Sequence, residues 1–144
     1  MNWFLEIKMA AHNKEFPWMS YYRDYNFFEQ RMLEHSKVDS IENVAPGLYS
    51  IKLYGGRDLK VFICECYSFD VAEYMESCGN YGSLDAVVIS SNWCGYSLDV
   101  KRHCMSENVG VFDISGFMAA INRRDYWTYM TKYERDRFQE NGWL

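Results

Sequence analysis

Proline is scarce in this chain: Pro17 and Pro46 are the only two among 144 residues, and no Ser/Gly/Pro-rich stretch divides the sequence. A linker-split or disordered protein is therefore not expected. With 49% apolar and 18% aromatic residues, the chain can bury a core without metal or disulfide staples. No window is apolar for long enough to cross a bilayer. The opening residues, MNWFLEIKMAAHNKEF, mix Glu6, Lys8 and His12 among their apolar side chains, so neither a signal peptide nor a membrane partner is expected. Also missing are an internal repeat, a glycine-rich phosphate loop, a GxSxG elbow and a dinucleotide fingerprint. The cysteines number five and none sits in a CxxC, which points to a reducing compartment, the cytoplasm. Cys64-Glu65-Cys66 is the nearest approach to a zinc cluster and lacks its partner ligands. His103 beside Cys104 suggests a nucleophile pair, but adjacent helical positions point in different directions.

Positive charge is in short supply as well. The net charge is −5, with 8 basic against 14 acidic side chains in residues 1–100 and 7 against 6 in residues 101–144. A nucleic-acid face is thus expected in the last third, around Lys101, Arg102, Arg123 and Arg124, the alternative being a solvated helix surface.

What is present is a sequence of alternating periods. Residues 17–35 place Trp18, Tyr21, Tyr22, Tyr25, Phe28, Met32 and Leu33 on one helical stripe, with Pro17 in the first turn. After Pro46-Gly47, LYSIKLY alternates in period two, Gly55-Gly56 supplies a two-residue turn, and a longer apolar strand follows. Asp70 and Glu73 have capping-box spacing for a helix closing at Gly79, before the strand LDAVVISS. Ser97 caps a helix over 98–107, VGVFD is a strand, Ser115 caps a helix holding Phe117, Met118 and Ile121, and Thr131 with Glu134 opens another.

The expected fold is one three-layer α/β domain over residues 1–144, with a core at about 17–122 and a helical extension at 123–144. Its mixed central sheet is built from an N-terminal helix, a β-hairpin and two β-α-β steps, followed by C-terminal helices. Strands 48–54 and 59–67 form the hairpin, 85–91 lies parallel to the second, and 109–113 lies beyond it. Residues 2–9 either add an edge strand or do not.

A helix, a hairpin whose second strand ends in an acidic tripeptide, a helix, DAVVISS, a helix and VGVFDISGFMAAI together resemble the PD-(D/E)XK restriction-endonuclease-like superfamily, especially its Mrr-like and resolvase-like branches. The likeness covers roughly residues 17–122. It implies a Mg2+ ion held by a strand Asp and the Glu of an E-x-K tripeptide, with the lysine positioning or activating the attacking water. Here the tripeptide reads Glu65-Cys66-Tyr67, so the lysine is absent, and Lys60 or Lys101 is its stand-in only if the fold brings one close. The aspartate is lacking too. Asp58 precedes Glu65 by seven positions, about 23 Å along a regular strand and on its opposite face. With a two-residue turn, Tyr54 pairs with Arg57 and Glu65 faces Pro46, leaving Glu42 or Asp39, and Glu29 or Glu34 on the first helix, as second ligands. The candidate catalytic residues are Glu65, Lys60 and Lys101, and the candidate metal ligands are Glu65 and Glu42. A degenerate site with little or no cleavage is expected, with either no cofactor or Mg2+.

The loop Ser90–Tyr96 leaves the carboxyl end of a central strand, where open α/β sheets bind ligands. Asn92, Trp93 and Tyr96, with Lys101, Arg102, Arg123 and Arg124, form the candidate binding set; the other possibility is aromatics folded back as a lid. The expected partner is nucleic acid or a protein of nucleic-acid machinery. The alternative is a non-catalytic interaction module or small inhibitor in defence or counter-defence, encoded by a phage or other mobile element. Self-association stays open.

Overall fold

A computed structural model describes residues 22–90 and 94–144, with side chains from Tyr25 onward. Trp18, Tyr21, the 2–9 edge strand, Asn92 and Trp93 lie outside the described residues. The first described element is helix α1 (Tyr22–Glu34), whose Tyr25, Phe28 and Met32 are buried, whereas Leu33, placed on the same stripe by spacing, is 65% exposed. Leu33 immediately follows Met32, about 100° further round the helix, so one of them must leave the core.

A meander follows. Strands β1 (Val38–Ala45), β2 (Leu48–Leu53) and β3 (Asp58–Cys64) are successively antiparallel. Then β5 (Ala86–Ile89) lies parallel to β3, and β7 (Gly110–Asp113) lies parallel to β5, giving the order β1-β2-β3-β5-β7. Two short parallel strands, β4 (Ser68–Phe69) and β6 (Gly95–Tyr96), pair separately beyond the carboxyl end of the main sheet. Helices α2 (Val71–Tyr81) and α3 (Leu98–Ser106) connect the parallel strands. After β7 come α4 (Ile114–Ala120), a 3-10 turn at Tyr126–Thr128 and α5 (Lys132–Glu140). The mixed sheet with helices on both faces is the three-layer α/β arrangement expected.

Aromatic contacts identify the layers. Phe28 of α1 packs on Tyr49 at 5.3 Å and on Phe117 of α4 at 6.1 Å, so α1 and α4 share a face. On the other face Phe62 meets Tyr81 of α2 edge-on at 5.6 Å. Such pairs are worth about 0.5–1.5 kcal/mol each beyond their area. The β-branched and aromatic run of β3 and the apolar run of β5 are covered from both sides, which is why they carry no alternation.

Several expectations are corrected by the fold. Strand β1 was not anticipated: Asp39, Glu42 and Asn43 oppose strand formation, yet charges of this kind suit an edge, and Pro46-Gly47 is its hairpin turn rather than a mere breaker. The β2–β3 register is shifted by one. Leu53 N donates to Arg57 O at 2.8 Å and Gly56 N to Leu53 O at 3.2 Å, so Tyr54, Gly55 and Gly56 form a three-residue loop. Both glycines have positive φ, 100° and 90°, and the second is absorbed as an extra loop residue. β3 ends at Cys64 instead of continuing to residue 67, because the chain turns toward β4. Helix α2 runs past Gly79 and stops at Gly82, whose φ of 77° ends it. Asp113, not Ser115, caps α4, its Oδ1 accepting from Gly116 N at 2.6 Å.

Candidate functional site

The caps expected from spacing converge at the carboxyl end of the parallel strands. Glu73 Oε1 accepts from Asp70 N at 2.9 Å, closing the capping box of α2. Ser97 Oγ accepts from Val100 N at 3.0 Å and donates to Asp70 Oδ1 at 2.7 Å, so the starts of α2 and α3 are joined. Next to them lie Glu65, half-buried, and the thiols of Cys64, Cys66 and Cys94. Burial pushes the Cys64 thiol well up, with Cys66 and Cys94 adding to it; burial likewise raises Cys66 to about 11. Cys64 and Cys66 are therefore thiols at neutral pH, and nucleophilic chemistry through them is disfavoured. Cys104 is raised to about 12 by burial, and His103 lies 3.6 Å from Glu107 and edge-on to Tyr74, so no Cys/His dyad is formed.

The candidate catalytic residues are not brought together. Lys60 sits five positions before Glu65, about 16 Å along β3. Its Nζ donates to Tyr81 O, where a cation complements the end of α2. Lys101 is 1% exposed. Its Nζ donates to Val111 O at 2.8 Å, pairs with Glu134 Oε2 at 3.5 Å and lies 4.4 Å from the centre of the Phe112 ring. Val111 is two strands across and three residues back from Glu65, on the order of 14 Å away. Burial lowers the pKa of the Lys101 ammonium, opposed by Glu134 and Asp113.

Glu42 stands in register with Ser50 of β2, and Ser50 with Lys60 of β3. That places it about 19 Å from Glu65, too far for a shared ion. Among the described residues no group of three or more His, Cys, Asp or Glu side chains is placed to hold a metal. Glu65 and Glu42 therefore do not share the Mg2+ ion that the resemblance implies.

The described members of the candidate binding set are split between opposite ends of the sheet. Tyr96 turns inward and donates to Glu134 Oε2 at 2.8 Å, while the guanidinium of exposed Arg102 lies 4.5 Å from the Trp143 ring. Arg123 and Arg124 follow α4 and reach the amino end of β3, where they line a cleft of about 230 Å3 with Lys37 and Arg57. Spacing did not suggest this grouping, since Lys37 and Arg57 lie far from Arg123 in sequence. The only local signal was a basic residue directly after the Gly55-Gly56 loop. A larger cleft of about 640 Å3 also opens at the amino ends of β5 and β7, lined by Tyr74, Cys78, Asp85, Glu107 and Asn108 among others. There Tyr74 donates to Glu107 Oε2 at 2.8 Å, and burial, then Glu107, pushes its phenol well up.

Among the described residues no helix is long and apolar enough to cross a membrane. Set against known protein families, curated proteins and solved structures, the chain matches no family model, no curated protein and no solved structure.

Proposed function

We propose that this chain is a restriction-endonuclease-like domain that acts on or beside nucleic acid without cutting it. The observation that carries the proposal is the fate of the two lysines available to Glu65: Lys60 is bonded to Tyr81 O and Lys101 is enclosed with Glu134. A hairpin followed by parallel β5 and β7 supports the fold half of the reading. Tyr67, in the place of the tripeptide's lysine, is 83% exposed, and a phenol has no cationic form to offer a scissile phosphate. The cellular setting that fits is nucleic-acid processing, defence or counter-defence.

The test pairs cleavage with retention. With Mg2+ or Mn2+, purified protein is expected to leave single- and double-stranded DNA and RNA uncut while retaining one of them on a filter. Metal-dependent cutting that disappears in Glu65→Gln would overturn the proposal. A second reading is favoured by the net charge of −5, which weakens any long contact with a polyanion. In it the domain binds a protein of nucleic-acid machinery, and no nucleic acid is retained at any salt concentration.

A further inference from the structure

Three segments distant in sequence meet at the amino end of the sheet. They are the α1–β1 turn with Lys37, the β2–β3 loop with Tyr54 and Arg57, and the stretch after α4 with Arg123 and Arg124. Each junction is pinned. Tyr54 N donates to Lys37 O at 2.9 Å, and Arg57 Nη1 donates to Arg124 O. His35 Nε2 donates to Met118 O at 2.8 Å, while its Nδ1 accepts from Lys37 N at 3.0 Å. The cations are thus held on a fixed frame rather than on one mobile loop.

None of these four cations forms an ion pair with a carboxylate among the described residues. Arg57 instead lies over the Tyr126 ring at 5.6 Å and Arg123 over Tyr129 at 5.8 Å. Of the neighbouring acids, Asp125 accepts from Thr128 Oγ1 through Oδ2 at 3.1 Å, and Asp58 stands opposite Lys52 in the hairpin. An arginine has five N–H donors, and Arg57 uses one of them on Arg124, so its remaining donors can face an anion.

We propose that the Lys37/Arg57/Arg123/Arg124 cleft is a phosphate-binding site that takes a backbone phosphate of a single-stranded nucleic acid. Size and charge set the ligand. A cleft of about 230 Å3 is smaller than the roughly 300–1,000 Å3 of a drug-sized pocket, so it encloses a group rather than a molecule. Three guanidiniums suit planar, bidentate recognition of phosphate, and the Lys37 ammonium adds a point charge. On a chain of net charge −5 a single cluster cannot track a long duplex, whereas a strand can enter it at one phosphate. Tyr54, 64% exposed at the rim, offers a face on which the adjoining base can stack. Only the identity of the ligand rests on the function proposed above; the anion site stands on its own geometry.

Fluorescence anisotropy with labelled 12-nucleotide DNA and RNA strands tests this, using the full chain at several salt concentrations. Arg123→Ala/Arg124→Ala is expected to weaken binding at least tenfold and to reduce the salt slope by about 0.7 to 1, as the loss of one phosphate contact requires. Arg135→Ala, on the exposed side of α5, should change neither. Circular dichroism establishes that each variant is folded, and Arg124→Glu gives a second reading of the same site. Strand binding that survives the double substitution would overturn the site while leaving the proposed function intact. If no strand binds but inorganic phosphate shifts the amide resonances of Gly55 and Asn122, nucleic acid is wrong as the ligand. Equal competition by an acidic peptide would overturn it for the same reason.

Discussion

Beside β7 the Lys101 ammonium is enclosed by Glu134, Val111 O and the Phe112 ring, whereas at the amino end of β3 the cations of Arg123, Arg124, Arg57 and Lys37 meet no carboxylate among the described residues. Each group includes a member of a short basic pair, Lys101-Arg102 in one and Arg123-Arg124 in the other, and the two pairs look alike in sequence. The difference lies in what the fold puts opposite them. A buried cation with a carboxylate partner is committed to holding elements together: Glu134 belongs to α5, Lys101 to α3, and Tyr96 to β6. A cation on a rigid surface without such a partner keeps its charge for a ligand. In this molecule positive charge is therefore structural in one place and free to bind in the other.

The largest effect that would sharpen this contrast is expected at Glu134. Its Oε1 closes the capping box with Thr131 N at 2.9 Å, while its Oε2 serves both Lys101 and Tyr96. Glu134→Ala strands a buried ammonium, and urea unfolding should show a loss of about 3–5 kcal/mol. Lys101→Met combined with Glu134→Leu should recover a large part of that, since no buried charge is then left alone. A Glu134→Ala loss below about 1 kcal/mol would mean that Lys101 reaches solvent and is as available as the arginines.

Alkaline pH probes the same interior. Cys66 and Cys104 are raised by burial to about 11 and about 12 from an ordinary 9.0, and Tyr96 and Tyr126 are also raised by burial. The folded state keeps protons that the unfolded chain releases, so their contribution is complete below pH 9 and is lost as pH rises through 11 to 12. Lys101 works the other way: its folded pKa is lowered, so stability rises with pH until the unfolded amine also deprotonates near 10.4. Several raised groups oppose one lowered group. Thermal unfolding should therefore show a plateau to about pH 8.5 and a fall above pH 9, steeper than in Cys104→Ala. A Tm that climbs between pH 9 and 10.5 would show that Lys101 outweighs them.

Thr131→Ala should cost about 1 kcal/mol, as the loss of an N-cap usually does, because Thr131 Oγ1 accepts from Glu134 N at 3.2 Å. That cap was legible in the sequence, as were Asp70 with Glu73 and Ser97, because each is a bond made within about three residues. The parallel steps from β3 to β5 and β7 were legible too, since a helix between apolar strands leaves few other topologies. What could not be read depends on distant partners. β1 is polar because it is an edge, the register turned on how Gly55 and Gly56 share a loop, and the burial of Lys101 depends on a carboxylate 33 positions away. The basic cleft was hidden for the same reason: Arg57 and Arg124 are 67 positions apart and are joined only by folding. Local rules assigned Arg123 and Arg124 to the Asn92–Tyr96 end, and the topology puts them at the other.

The smallest expected change in stability is also the one that bears most on function. Arg123 and Arg124 are both exposed, and Arg124 contributes its backbone carbonyl, not its side chain, to the bond with Arg57. Replacing both side chains with alanine therefore keeps that bond and removes only the contact of Arg123 with Tyr129, worth about 0.5 kcal/mol or more at an exposed site. Urea unfolding of Arg123→Ala/Arg124→Ala should stay within about 1 kcal/mol of the parent, while strand binding drops at least tenfold. Lys101→Ala should do the reverse, lowering stability while leaving the affinity of the folded fraction unchanged, because its Nζ never reaches the cleft. The two substitutions thus separate the two kinds of cation in one experiment. A Lys101→Ala protein that remains folded yet loses strand binding along with its salt dependence would place the binding face beside β7 and dissolve the contrast.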